Sequence, residues 1–164
     1  MRLSAHRVEM RSGLRQHGGL DHYVLLFVSA LAAKAPADTV ITIARQARRN
    51  NERTGITGLL VFDGENFAQL MEGPQDAVPA VADLMTTDTR HERMEILHSA
   101  PNSSARRFPS WRLGYLVMDL QEFGLQSLRG KRGARALDDF YFMLPALDIA
   151  VGEAVPKKLI RSPL

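Results

Sequence analysis

Two apolar runs, Thr57 to Phe62 and Asn66 to Glu72, are separated by Asp63-Gly64, a residue pair suited to the tight turn between antiparallel strands. Upstream, Val40, Ile43, Ala44 and Ala47 recur at helical spacing after Asp38, a candidate N-cap. That helix ends near Asn51 to Gly55, with Gly55 its natural stop. Helix, turn and hairpin thus follow one another with little freedom in how they connect. The second strand puts Gln69 on the same face as Phe67 and Met71. A primary amide on an apolar face needs its donors and acceptors met. Gln69 is therefore either locked to a neighbouring strand or turned towards a flat polar ligand.

The remaining elements fall around this unit. Tyr23 to Ser29 reads as a buried strand, with Tyr23, Leu25, Phe27 and Ser29 on one face and Val24, Leu26 and Val28 on the other. Pro74 ends the hairpin, and a second helix over about Gln75 to Thr87 carries Val78, Val81 and Met85 on one side, with Pro79 in its first turn. Met94 to Ala100 and Trp111 to Met118 read as two more strands, joined by a polar, irregular link. The order strand, helix, strand, strand, helix, strand predicts an α+β ferredoxin-like sandwich, a mixed sheet of about five strands with two helices on one face. The other face needs a cover. Leu137, Phe140, Tyr141, Phe142 and Leu144, followed by Leu147 to Val151, predict one or two C-terminal helices packing on or near that face or mediating a homo-oligomer. Residues 1–20 read as a flexible basic arm or start-site extension, 21–118 as the domain, and 119–164 as a helical extension frayed after Pro156.

At 164 residues and 45% hydrophobic, the chain supports one core of ordinary size. It has no run approaching the roughly 18 apolar residues of a spanning helix and no apolar secretory segment, so a soluble, cytoplasmic protein is expected. Zero cysteines exclude disulfides, thiolate metal sites and cysteine nucleophiles. The net charge of +3 comes largely from arginine, clustered before Asp21 and over Arg129, Lys131, Arg132 and Arg135. Neither patch interleaves aromatics, so both read as solvated and nucleic acid is not an expected partner. The histidines show no paired helical spacing, no metal site is found, and no nucleophile-elbow or phosphate-loop pattern occurs.

Several separated motifs carry a resemblance from about Tyr23 to Val117: Leu-Leu-Phe-Val-Ser at 25–29, Asn50-Asn51 with Gly-Ile-Thr-Gly-Leu-Leu, Phe-x-Gln-x-x-Glu-Gly at 67–73, Asp88-Thr89-Arg90-His91, and Arg107-Phe108-x-x-Trp111. In this the chain resembles the BLUF domains, flavin-binding blue-light sensors. The resemblance implies FAD or FMN held non-covalently, with Asn50, Asn51 and Gln69 at the ring and Asp88, Arg90 and His91 at the ribityl-phosphate side. Read alone, Asn50-Asn51 is also an ordinary helix end, and Asp88 with Arg90 an ordinary helix-terminal ion pair. The resemblance further implies a photochemical and relay set at Phe27, Gln69, Trp111 and Leu113, although Trp111 also suits plain core packing.

The chain departs from the family pattern at three of these places. Phe27 stands where the family has a tyrosine that donates an electron and a proton and orients the glutamine. Tyr23 shares its strand face but lies about 13 Å away at strand rise. Leu84 replaces a basic or polar residue, and Leu113 a methionine. The resemblance thus implies a sensor rather than an enzyme, with an impaired photocycle, signalling in trans to a partner protein. The alternatives are a light-independent interaction module without flavin and a small ferredoxin-like hydrolase, and fold alone does not choose among them.

Overall fold

The computed structural model describes residues 21–110, 112–117 and 124–144. Its elements are β1 (His22–Leu31), α1 (Thr39–Thr54), β2 (Thr57–Phe62), β3 (Asn66–Gly73), α2 (Ala77–Thr86), β4 (His91–Asn102), β5 (Gly114–Val117), a 3-10 turn (Leu125–Leu128) and α3 (Gly133–Phe142). The sheet runs β4-β1-β3-β2-β5. Each neighbouring pair among its first four strands is antiparallel, and the short β5 joins β2 in parallel. This is the ferredoxin-like split βαβ order with one added strand.

Period-two alternation sorts the central strands into two cores. On one face Leu25, Phe27, Leu60, Phe62, Phe67 and Met71 meet α1 and α2. On the other, Val24, Leu26, Val28, Leu59, Val61, Ala68 and Leu70 meet Leu125, Leu128, Ala136, Phe140 and Leu144. The expected cover of the second face is therefore α3 together with the 3-10 turn. Phe140 is fully buried there, whereas Phe142 points outward and is 83% exposed. The arm at 1–20, Leu147 to Val151 and the frayed end after Pro156 lie outside the described residues.

Backbone geometry fixes the hairpin and its entry. Gly55 takes a left-handed φ of 70° as the C-cap of α1, and its N–H donates to Asn51 O. Gly58 lies so close to β3 that a Cβ would sit 2.0 Å from the Leu70 carbonyl oxygen. The Asp63 carboxylate shapes the turn by accepting the N–H groups of Glu65 and Asn66 at 3.1 and 2.7 Å.

Three sequence expectations change. The fourth strand begins at His91 rather than Met94, so His91 belongs to β4. Two register shifts interrupt its pairing with β1, and Arg93 has a positive φ of 51°, which breaks the alternation that marks a strand in sequence. The last strand is assigned over Gly114–Val117, with Arg112 and Leu113 preceding it rather than belonging to it. The basic segment at 129–135 is pinned rather than freely solvated. Glu95 accepts the Gly130 N–H at 2.9 Å and Arg132 Nη1 at 2.6 Å, and Lys131 pairs with Asp139 at 2.6 Å.

Because Phe140 fills the second core, Phe140→Ala is expected to lower unfolding free energy by about 3–5 kcal/mol, while Phe142→Ala stays within about 0.5 kcal/mol. Urea denaturation of both variants measures the difference.

Candidate functional site

The helix-facing core is divided. One cluster lies under α1 and includes Leu60, Phe62, Phe67 and Leu113; the other lies under α2 and includes Leu25, Phe27, Ile56 and Met71. Gln69 occupies the seam, opposite Phe27 of the second cluster and Leu60 of the first. Above the seam a cleft of about 480 Å³ opens between α1 and α2, within the usual size of a small-molecule site. Ile43 and Ala47 from α1 and Ala77, Ala80, Val81 and Met85 from α2 give it apolar walls. Asn50, Asn51, Asp88, Arg90 and His91 bring polar groups to it. The structure thus gathers five of the residues singled out from sequence on one cleft, with Gln69 and Phe27 in the core beneath.

Gln69 is 0% exposed, and neither its Oε1 nor its Nε2 has a hydrogen-bond partner among the described residues. The alternative of an amide locked to a neighbouring strand therefore has no bond to support it. An unpaired buried amide costs free energy unless something else satisfies it. Asn51, 1% exposed, donates from Nδ2 to the Arg112 carbonyl oxygen at 2.6 Å, tying α1 to the segment before β5. Neither asparagine side chain caps the helix, which runs on to Thr54. The Asn51 main-chain oxygen does close the helix end, accepting the Gly55 and Ile56 N–H groups.

At the other end of the cleft, Arg90 makes a forked ion pair with Asp88, with Nε 2.9 and 3.1 Å from the two carboxylate oxygens. That hydrogen bond holds the Asp88 carboxyl below its ordinary range and raises the Arg90 guanidinium, so the pair stays charged. Arg90 Nη2 also donates to Gln46 Oε1 at 3.0 Å. The helix-terminal ion pair and the cleft-lining position are thus both true of the same residues. His91 reaches deeper. Its Nδ1 is 2.9 Å from Ser29 Oγ, and its ring lies 6.4 Å from the Phe27 ring and 5.1 Å from the Phe67 ring. Burial pushes the His91 pKa down.

Phe27 is 0% exposed and brings no polar atom to Gln69. Tyr23 is remote, pairing with Gly73 and Pro101 and placing its hydroxyl 2.9 Å from Ser99 Oγ. Leu84 lies on the cleft wall and is 71% exposed. Leu113 is buried in the cluster under α1, and Trp111 lies outside the described residues. Gln46, Arg53 and Thr54 also line the cleft, unremarked in sequence. Gln46 and Asn50 are four apart on one helical face, which is the signal that would have found the first of them.

The family model described as BLUF, sensors of blue-light using FAD, matches residues 23–114, more than half of the chain. The chain belongs to the BLUF family. Among its relatives, the blue light- and temperature-regulated antirepressor BluF of Escherichia coli (strain K12) is 32% identical over 85 residues, covering 51% of this chain and 21% of that protein. The photoactivated adenylate cyclase subunit beta of Euglena gracilis is 39% identical over 72 residues, covering 43% of this chain and 8% of that one. The chain thus spans about a fifth or less of these two relatives. The dark-state structure of BlrB, a BLUF protein, matches with a TM-score of 0.64 at 28% identity, covering 77% of this chain and 96% of that chain. BlsA in its photo-activated state matches with a TM-score of 0.60 at 24% identity, covering 75% and 94%, a likeness of fold.

BLUF domains are flavin-binding sensors, and the cleft suits that ligand chemically. An isoalloxazine ring is a flat apolar plate edged with carbonyls and nitrogens, and the unpaired Gln69 amide offers both a donor and an acceptor. No described helix is long and apolar enough to cross a membrane.

Two expectations test this geometry. Gln69→Leu removes an unsatisfied amide from the core, so the flavin-free protein should gain about 1–3 kcal/mol of stability in urea while losing flavin affinity in titration. His91 contributes through a depressed pKa, so its stabilisation is complete above the unfolded value of 6.5 and is lost as pH falls through the lower folded value. Between about pH 7 and about pH 5, wild type should therefore lose more stability than His91→Gln in paired urea melts.

Proposed function

We propose that this domain holds FAD or FMN non-covalently between α1 and α2 and acts as a sensory domain on a separate protein partner, with its photochemistry disabled at Phe27. The observation that carries the reading is the unpaired Gln69 amide in the seam, directly across from a phenylalanine. Asn50 and Asn51 are assigned to the ring edge, and Asp88, Arg90 and His91 to the polar tail. When bound, flavin supplies blue-light absorption and a reducible ring. The residues around it hold the ring, exclude water and present hydrogen bonds to its edge. Phe27 contributes volume but can neither deliver a proton nor hydrogen-bond to Gln69. Trp111 and Leu113 are assigned to the relay, where leucine keeps the bulk of a methionine without its sulfur. In this reading the chain performs no reaction of its own, resides in the cytoplasm and associates with a second copy.

Phe27 and the exposed Leu84 also favour a second reading, a light-independent interaction module without flavin. Equilibrium titration with FAD and FMN separates the two. A yellow complex with a structured blue absorption band supports flavin binding, and a colourless protein in excess flavin supports the second reading. Illuminated difference spectra then test the photochemistry. Wild type should show no persistent red shift, and Phe27→Tyr should gain a dark-reversible one. A complete red-shifting photocycle in the wild type would falsify the role given to Phe27.

A further inference from the structure

The carboxylate of Glu72 is 1% exposed and faces away from the cleft, three residues after Gln69 on β3. Its two oxygens accept successive main-chain N–H groups, Oε1 from Arg107 at 2.8 Å and Oε2 from Phe108 at 3.0 Å. His22 Nε2 lies 3.8 Å from Oε1, and Thr57 Oγ1 donates to the Glu72 main-chain oxygen at 3.4 Å. The two clamped residues both reach the α3 layer. The Arg107 guanidinium lies over the Tyr141 ring, 5.2 Å from its centroid, and Phe108 is buried in the core that contains Phe140 and Leu144. Arg106 Nη1 secures the same turn to the end of α1, donating to the Gly55 oxygen at 2.9 Å.

We propose that Glu72 is the positioning residue that transmits the state of the flavin-facing strand to α3. The inference rests on flavin occupying the cleft above Gln69. A side chain buried on the cleft face of β3 and another buried on its α3 face share one short stretch of backbone. A shift of β3 that accommodates a ligand at Gln69 therefore moves the Glu72 carboxylate, and with it the 106–108 turn and its contacts to Tyr141 and Phe140. Burial makes this link stiff, because a carboxylate with two amide donors has no water to exchange with. Tyr141 feels the same charge. Its pKa is pushed up to about 12, by burial first and by the Glu72 charge second.

Glu72→Gln keeps the shape but places an amide N–H against one of the two N–H groups, breaking half of the clamp. The test is hydrogen exchange on the full chain, with and without FAD in the dark, for wild type and Glu72→Gln. In wild type, FAD should slow exchange at α1 and α2 and also, by about fivefold or more, at 107–108 and 133–142. In Glu72→Gln, FAD should bind with unchanged affinity and protect α1 and α2, but leave 133–142 unaltered. A residue that merely stabilises the fold would raise exchange in both states and preserve the FAD-induced difference. That preserved difference, or a wild type whose α3 ignores bound FAD, overturns the proposal. Absence of protection at α1 and α2 in the wild type overturns the flavin reading itself, and the inference with it. If Glu72→Gln does not fold, Tyr141→Leu leaves the clamp intact and severs the guanidinium contact. It should reduce the FAD response of α3 without changing affinity, and a full response in that variant overturns the proposal.

Discussion

β3 lies between β1 and β2 and is covered on both faces, by α1 and α2 on one side and by the α3 layer on the other. A strand so placed is buried on both faces, yet it carries Asn66, Gln69 and Glu72, none of them more than 4% exposed. Burying such groups costs several kcal/mol unless each is partnered, so the surrounding architecture has to answer for them. Glu72 is answered by two main-chain N–H groups of the β4–β5 connection. Asn66 sits at the hairpin, where its main-chain N–H bonds the Asp63 carboxylate while its side-chain Oδ1 has no partner among the described residues. Gln69 differs from both in that neither its Oε1 nor its Nε2 has a partner among the described residues, which is why the proposed function gives it a ligand.

The parts of the fold legible in sequence were those in which one physical rule acted alone. β2 has the bounds expected of it, because Gly55 ends a helix and Asp63-Gly64 makes a turn whatever surrounds them. The start of β4 was hidden because it is an interrupted edge strand, with polar residues alternating irregularly through two register shifts. The role of Glu72 was hidden for a different reason. A glutamate closing an apolar strand reads as a strand end, and only the return of residues 107 and 108 from 35 positions away shows it to be interior. The basic stretch at 129–135 looks solvated in sequence because Glu95, which holds it, is equally distant along the chain.

The candidate site shows the same division. Asn50, Asn51, Asp88, Arg90 and His91 were singled out through the family resemblance, and the cleft brings them together. Their spacing alone supported only a helix end and an ion pair, and the structure contains that ion pair as well. Asn51 is the instructive residue. Its main-chain oxygen closes α1 while its side chain holds the Arg112 carbonyl, so one residue belongs to a helix terminus and to the seam between α1 and β5. A helix-end assignment and a site assignment were never exclusive.

In the proposed reading, Phe27 limits what this arrangement can do more than Leu84 or Leu113. Leu84 is exposed at the cleft wall and Leu113 fills an apolar cluster, so both bear on fit and packing. Phe27 instead changes the chemistry. It is buried across from Gln69 and in edge-on contact with the His91 ring, whose Nδ1 is engaged with Ser29. A hydroxyl at that ring would be one more polar group in a seam that already holds an unpaired amide, and would give that amide a neighbour. With phenylalanine there, the amide has no hydrogen-bonding neighbour among the described residues. In the proposed reading, a phenylalanine at this position both withholds a proton donor and leaves Gln69 more dependent on bound ligand, so flavin recognition is the property expected to outlast the photochemical step.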